Sequence, residues 1–295
     1  MTLTAHLPAL RVRLERAFDV PDAPRKLLNV RRIVAATLLI KGLIDLPQIQ
    51  ALYGNHGLLP WVINDLQLDA WLPRLGGLAV RLAPLGVTPE ALVNVTYGAY
   101  LLALLALLLN WAPRLNGPVA MLTHLALVNS SAFNAYGVDL YAKVALFHTA
   151  LSAFTRADGP SLGAAVVWRA AQAQLAWTYF SAGWHKAQGE QWWTGEAIWR
   201  ALQTPQLQML DTTWLAQVPW LATLVAWGTL ALELGYVLFI WPRATRPVWL
   251  AGTLAMHVGI AALLGLPVFA FVMMTLNVAL FGQGIGRRRT SAPAG

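Results

Sequence analysis

The chain has 295 residues, of which 57% are hydrophobic and only 12% charged, against about 25% charged in an ordinary soluble domain. It contains 14 Trp and no Cys, which excludes disulfides, thiolate catalysis and thiolate metal sites. A net charge of +8 would point a soluble protein toward nucleic acid. In a chain this apolar it reads as membrane topology, and no nucleic-acid partner is expected.

In chain order, residues 1–30 come first and are basic, with Arg11, Arg13, Arg16, Arg25 and Lys26, and no small-residue cleavage site follows them. We expect a cytoplasmic amphipathic segment, set off by Pro21 and Pro24 from a transmembrane domain over 31–281. A basic cytoplasmic tail, 282–295, would close the chain. Apolar runs near the roughly 20 residues that a bilayer core requires predict eight helices. They cover about 31–52, 91–110, 117–133, 139–155, 166–184, 218–240, 247–264 and 267–281. Breaks are expected at Asn116-Gly117-Pro118, Asp158-Gly159-Pro160, Trp241-Pro242 and Gly265-Leu266-Pro267. The fold class is an all-α polytopic membrane protein.

The distribution of Lys and Arg predicts orientation. With the N-terminus inside, fifteen of the 21 fall on inner segments and four on outer ones, while Lys41 and Lys143 lie within spans. That asymmetry predicts both termini in the cytoplasm and a multi-pass protein of the cytoplasmic membrane, with the lipid bilayer as its solvent. Two long outer segments, 53–90 and 185–217, carry Trp61, Trp71, Trp192 and Trp193 among prolines and glycines. The first is expected to lie along the outer surface as short amphipathic helices, and the second begins with His185 and Lys186.

Ionisable groups inside spans are costly and are functional candidates by default. Lys41 and Asp45 lie one turn apart on one face, and Asp139 and Lys143 repeat that spacing. Each couple is equally readable as a neutralising pair within its own helix. His257 lies within the seventh span, and His124, His148 and Glu233 are assigned structural roles. The six His are scattered without clustered spacing, so no metal site is expected.

The stretch from Gln174 to Glu196 concentrates the chemistry. A helix end carrying Tyr179 and Phe180 runs into His185 and Lys186, then into Gly189, Glu190, Trp192, Trp193 and Gly195. A lysine desolvated among Trp184, Trp192 and Trp193 can be held as the neutral amine, the form that accepts a proton. The competing structural reading is a lysine that snorkels beside an aromatic belt.

Three anchors carry a family resemblance: Leu43-Ile44-Asp45-Leu46-Pro47-Gln48 with the Tyr53, Gly57 and Pro60 loop; the pattern Q-x4-YF-x-AG-x2-K from Gln174 to Lys186; and His257 through Phe269 to Phe281. Over most of residues 27–281 the chain resembles the membrane region of vitamin K-dependent γ-glutamyl carboxylase and its bacterial relatives, the horizontally transferred transmembrane (HTTM) proteins. The resemblance implies a quinol-dependent enzyme with an outward-facing site. Lys186 would be the base toward vitamin K hydroquinone or another quinol, with His257 beside it as a catalytic residue. Tyr179, Gln174, Trp184 and Asp45 would line the cofactor site, and a peptide, protein or lipid would be the substrate.

The chain departs from the carboxylase pattern between Phe133 and Tyr141, where Asn134, Tyr136 and Asp139 stand in a segment that holds a His in the family. Val258, Gly259 and Ile260 replace polar residues after the later His. A second reading therefore stays open: a non-enzymatic membrane binding, maturation or export partner that holds a lipid or peptide. The enzyme reading expects Lys186 in an enclosed cavity, and the partner reading expects it exposed beside an apolar docking face.

Overall fold

The computed structural model describes residues 18–20, 22–66, 72–131, 135–156 and 159–283. Most of the 1–30 segment, Trp71, Phe133, Asn134, Asp158 and nearly all of the 282–295 tail lie outside them. Every regular element among the described residues is helical. The long helices are α1 (Ala23–Asp45), α2 (Pro89–Leu108), α3 (Pro113–Asn129), α4 (Gly137–Ala153), α5 (Leu162–Ala187), α6 (Pro219–Phe239), α7 (Arg246–Leu264) and α8 (Pro267–Asn277). Each overlies one of the eight segments expected from hydropathy. Of these, α2, α6 and α7 are long and apolar enough to cross a membrane.

Two boundaries differ from expectation. Helix α1 begins at Ala23, so Pro24 opens the helix instead of separating it from a preceding segment. Proline suits a first turn because its missing N–H has no intrahelical partner there. The break before α3 falls at Asn110 and Ala112, both with positive φ, and Pro118 lies inside the helix. The other observed breaks follow the expected chemistry. Gly265, at φ 62°, closes α7 and Pro267 opens α8.

The helices fall into two compact units, with the boundary inside α5. In the first, α1 packs on α2 and α4, and α3 packs on α2 and α4. The core is large and apolar, including Leu38, Tyr97, Leu104, Leu127 and Leu146. Tyr97 donates its hydroxyl to the Gly42 carbonyl (2.7 Å), tying α2 to α1. The outer segment supplies the short helices Trp61–Asp65 and Leu75–Leu82. Polar residues closing α3 clamp that segment. Asn64 Nδ2 donates to the Ser130 carbonyl (3.0 Å), Ser130 Oγ accepts from the Leu75 N–H (2.7 Å), and Asn129 Nδ2 donates to the Pro73 carbonyl (3.0 Å). Chain ends of helices that water would otherwise satisfy are thereby satisfied by the loop.

The second unit holds the end of α5, all of α6 and α7, and both ends of α8. Gly235 and Gly252 let α6 and α7 approach closely: a Cβ at either would lie 2.7 Å from Trp249 or 2.8 Å from Leu232. The short helices Glu190–Thr194 and Glu196–Gln203 meet at Gly195, whose φ of 84° and 2.5 Å clearance to the Thr223 backbone exclude a side chain. Trp227 and Thr223 of α6 fasten this corner by donating to the carbonyls of Trp193 and Thr194.

Small residues set the helix spacing in such bundles. At Gly117 an added Cβ would meet Ala150 Cα of α4 at 3.0 Å. Gly117→Val should overpack the α3–α4 contact, destabilise the chain by about 1–3 kcal/mol and lower its melting temperature in detergent. A tryptophan-fluorescence or dye-based thermal melt measures it, and an unchanged melt would contradict the packing described.

Candidate functional site

Tyr179, Gly183 and Lys186 are spaced four and three residues apart, so they share one face of α5. That face meets α6. A Cβ on Gly183 would lie 2.8 Å from Glu233 Cβ and 3.0 Å from the Leu234 nitrogen, so the glycine permits a backbone approach that alanine would obstruct. The Lys186 ammonium thereby reaches both carboxylate oxygens of Glu233, each at 2.7 Å. Glu233 is nearly enclosed, with 7% of its side chain exposed, against 26% for Lys186. Trp192 turns its ring toward the ammonium, 5.4 Å from the ring centroid, a cation–π contact. Trp193 donates its indole N–H to the Ala187 carbonyl at the end of α5 (2.8 Å).

Two turns back along α5, a hydrogen-bonded relay crosses the unit. Tyr236 donates to Asn277 Oδ1 (2.6 Å), Asn277 Nδ2 donates to the Tyr179 hydroxyl oxygen (2.7 Å), and that hydroxyl meets His257 Nε2 at 2.7 Å. Tyr179 and Tyr236 stack with centroids 4.3 Å apart. Asn277 donating to the Tyr179 oxygen favours the tyrosine proton going to Nε2, and in that tautomer the imidazole proton sits on Nδ1. His257 is buried, and Nδ1 has no hydrogen-bond partner among the described residues.

The HTTM domain family matches residues 85–283. The chain belongs to the HTTM family. No curated protein and no solved structure matches it. The match covers α2 to α8 with the end of the chain's helical region, and so includes both halves of the arrangement around Lys186 and His257.

Within this HTTM protein, the residues expected at the site are distributed unevenly. Lys186, Tyr179 and His257 lie in the second unit, and Tyr179 bonds His257 directly. Gln174 is half-buried, five residues before Tyr179 and thus on another face of α5. The glutamine on the Tyr179 face is Gln172, buried and donating to the Leu280 carbonyl (2.7 Å). Trp184 is half exposed and stacks on Phe180; Trp192 is the ring at Lys186. Glu233, expected to be structural, is the partner of Lys186. Among the described residues, no group of three or more His, Asp or Glu is arranged to hold a metal ion.

Asp45 belongs to the first unit and has its own partners there. Its carboxylate accepts from Lys41 (2.6 Å), and Asp139 approaches the same ammonium at 3.3 Å. Asp139 Oδ1 makes that contact without hydrogen-bond geometry, while its Oδ2 accepts from the Tyr136 N–H (3.3 Å) at the start of α4. The expected Asp139–Lys143 pair is not formed: Lys143 turns to Asn129 Oδ1 (3.3 Å). The Lys41 cluster lines a cavity of about 70 Å³ with Tyr53, Ser131 and Tyr136. His148 bonds the Val144 carbonyl one turn back, the structural role expected of it.

Tyr179→Phe would remove the hydroxyl that partners His257 Nε2 in a buried site, along with one hydrogen bond of the Asn277 amide. The expected loss is about 1–3 kcal/mol for the group so stranded, read as a lower melting temperature. A melt equal to that of the parent protein would show that the relay is not formed.

Proposed function

We propose that this HTTM protein spans the cytoplasmic membrane eight times with both termini inside, and that the Lys186–Glu233 pair is the proton-accepting centre of a quinol-dependent enzyme. The observation that carries the reading is a buried carboxylate held against a partly exposed amine beneath an aromatic ring. An ammonium cannot accept a proton. The Glu233 carboxylate lies close enough to take the lysine's proton, which leaves an amine free to receive one from an acidic O–H. When bound, a quinol supplies reducing electrons and that phenolic O–H. The donor set fits such a ligand: the amine–carboxylate couple would hold one of its oxygens, Trp192 would offer a flat apolar face, and His257 Nδ1, buried and without a partner among the described residues, would serve a second polar group. Tyr179, Asn277 and Tyr236 fix the imidazole and its tautomer. The substrate that the family resemblance implies, a peptide, protein or lipid, belongs to the same proposal.

The non-enzymatic reading keeps one observation in its favour, because a paired, part-exposed Lys186 is also what a purely structural anchor would look like. Substitution separates the two. Lys186→Arg retains the charge and the ion pair but does not give up its proton at usable pH. In aerobic quinol oxidation by the purified protein, Lys186→Arg and Glu233→Gln should lower turnover by about 10²-fold or more. Quinone co-purifying with the Lys186→Arg protein should be unchanged. Full turnover in that variant would remove Lys186 as the base and leave the binding role.

Orientation is tested independently, since the chain has no native cysteine. Single cysteines at Gln191 and Ala244, both exposed, should differ in labelling by an impermeant maleimide added to intact cells. Position 191 is expected to label and position 244 to stay protected; the opposite pattern would invert the topology.

A further inference from the structure

The start of α1, the turn between α2 and α3 and the segment after α4 meet at one end of the first unit, around a cavity of about 620 Å³. That volume is in the range of small-molecule sites. Four arginines line it, Arg25, Arg31, Arg114 and Arg156, and among the described residues no carboxylate does. Arg25, Arg114 and Arg156 are exposed at the rim, whereas Arg31 is 93% removed from solvent, at 7% exposure. Arg31 Nη1 donates to Asn110 Oδ1 (3.1 Å), which aims the guanidinium. Its Nε has no hydrogen-bond partner among the described residues. A buried guanidinium donor is ordinarily satisfied, and here the cavity lies beside it. Asn110 and Ala112, both lining the cavity, hold positive φ angles of 56° and 40° without being glycine.

We propose that this cavity is an anion site for a phosphate group, carried by the headgroup of an acidic phospholipid or by a free phosphate. Arginine forks match phosphate oxygens in geometry as well as charge, and basic pockets between membrane helices take anionic headgroups. In the orientation proposed above, the cavity opens at the cytoplasmic leaflet, where such lipids lie. The site is separate from Lys186 and stands whether or not the chain uses a quinol.

The test is native mass spectrometry of the full chain in detergent, titrated with phosphatidylglycerol and, separately, with phosphatidylcholine. The parent protein should retain phosphatidylglycerol preferentially. Arg114→Gln with Arg156→Gln should weaken that binding about 25-fold, from about five-fold for each arginine near an acidic headgroup. Both positions are exposed, so the melting temperature should not move. Arg243→Gln, an exposed arginine away from the cavity, should bind as the parent does. Displacement of the lipid by millimolar inorganic phosphate would identify free phosphate as an occupant, and resistance to it would identify the headgroup. The proposal fails if the parent shows neither a preference for phosphatidylglycerol nor binding of inorganic phosphate. It fails equally if Arg243→Gln weakens binding as much as Arg156→Gln alone, because the effect would then be general surface charge.

Discussion

A carboxylate enclosed among apolar helices has no water to solvate it, and Glu233 is stabilised by the Lys186 ammonium that reaches both of its oxygens. Removing one partner of such a buried pair strands the other charge at a cost of about 3–5 kcal/mol. The contact depends on Gly183, because only a residue without a Cβ lets the α5 backbone approach Glu233 and Leu234 so closely. From that approach follow the position of Lys186 under Trp192 and the stacking of Tyr179 on Tyr236 two turns back along α5. A single absent methyl group thus sets the geometry of the ion pair and of the relay.

The first unit solves the same electrostatic problem differently. Lys41 sits between two carboxylates, Asp45 on its own helix and Asp139 on α4. Asp139 also receives the Tyr136 N–H at the start of its helix, where a negative charge is favoured by the unpaired amides. One residue therefore caps α4 and cross-links it to α1. Lys143, left without that carboxylate, finds the neutral oxygen of Asn129. Charge among the described residues is matched along helices, as in Lys41–Asp45, and also between them, as in Lys41–Asp139 and Lys186–Glu233; the second kind stabilises packing and not merely a single helix.

That distinction explains what was legible in the sequence. The placement of the long helices among the described residues followed from apolar runs, and the break at Gly265-Leu266-Pro267 from Gly-Pro punctuation, because those signals are local. The Tyr179, Gly183 and Lys186 face was also local, since spacings of four and three fix it within one helix. Partners drawn from other helices were not. Spacing along α4 pointed to Asp139–Lys143, but Lys41 from α1 wins the carboxylate. Glu233 looked structural from its depth in α6, yet four flexible methylenes let Lys186 reach it once Gly183 closes the gap. Gln174 was the glutamine in the motif, whereas helical phase puts Gln172 on the Tyr179 face, seven residues away instead of five. Asn277 had no signal at all, because its role exists only when α5, α6, α7 and the end of α8 converge.

The relay also constrains what kind of group can complete it. Tyr236 has a single hydroxyl proton and gives it to Asn277; the Asn277 amide gives one to Tyr179; Tyr179 gives its own to His257 Nε2. Each donor points the same way, so the series ends on the Nδ1–H of His257, which is buried and has no partner among the described residues. A group that completes the series must therefore accept a hydrogen bond: a carbonyl, a carboxylate or a phenolate oxygen qualifies, and an ammonium does not.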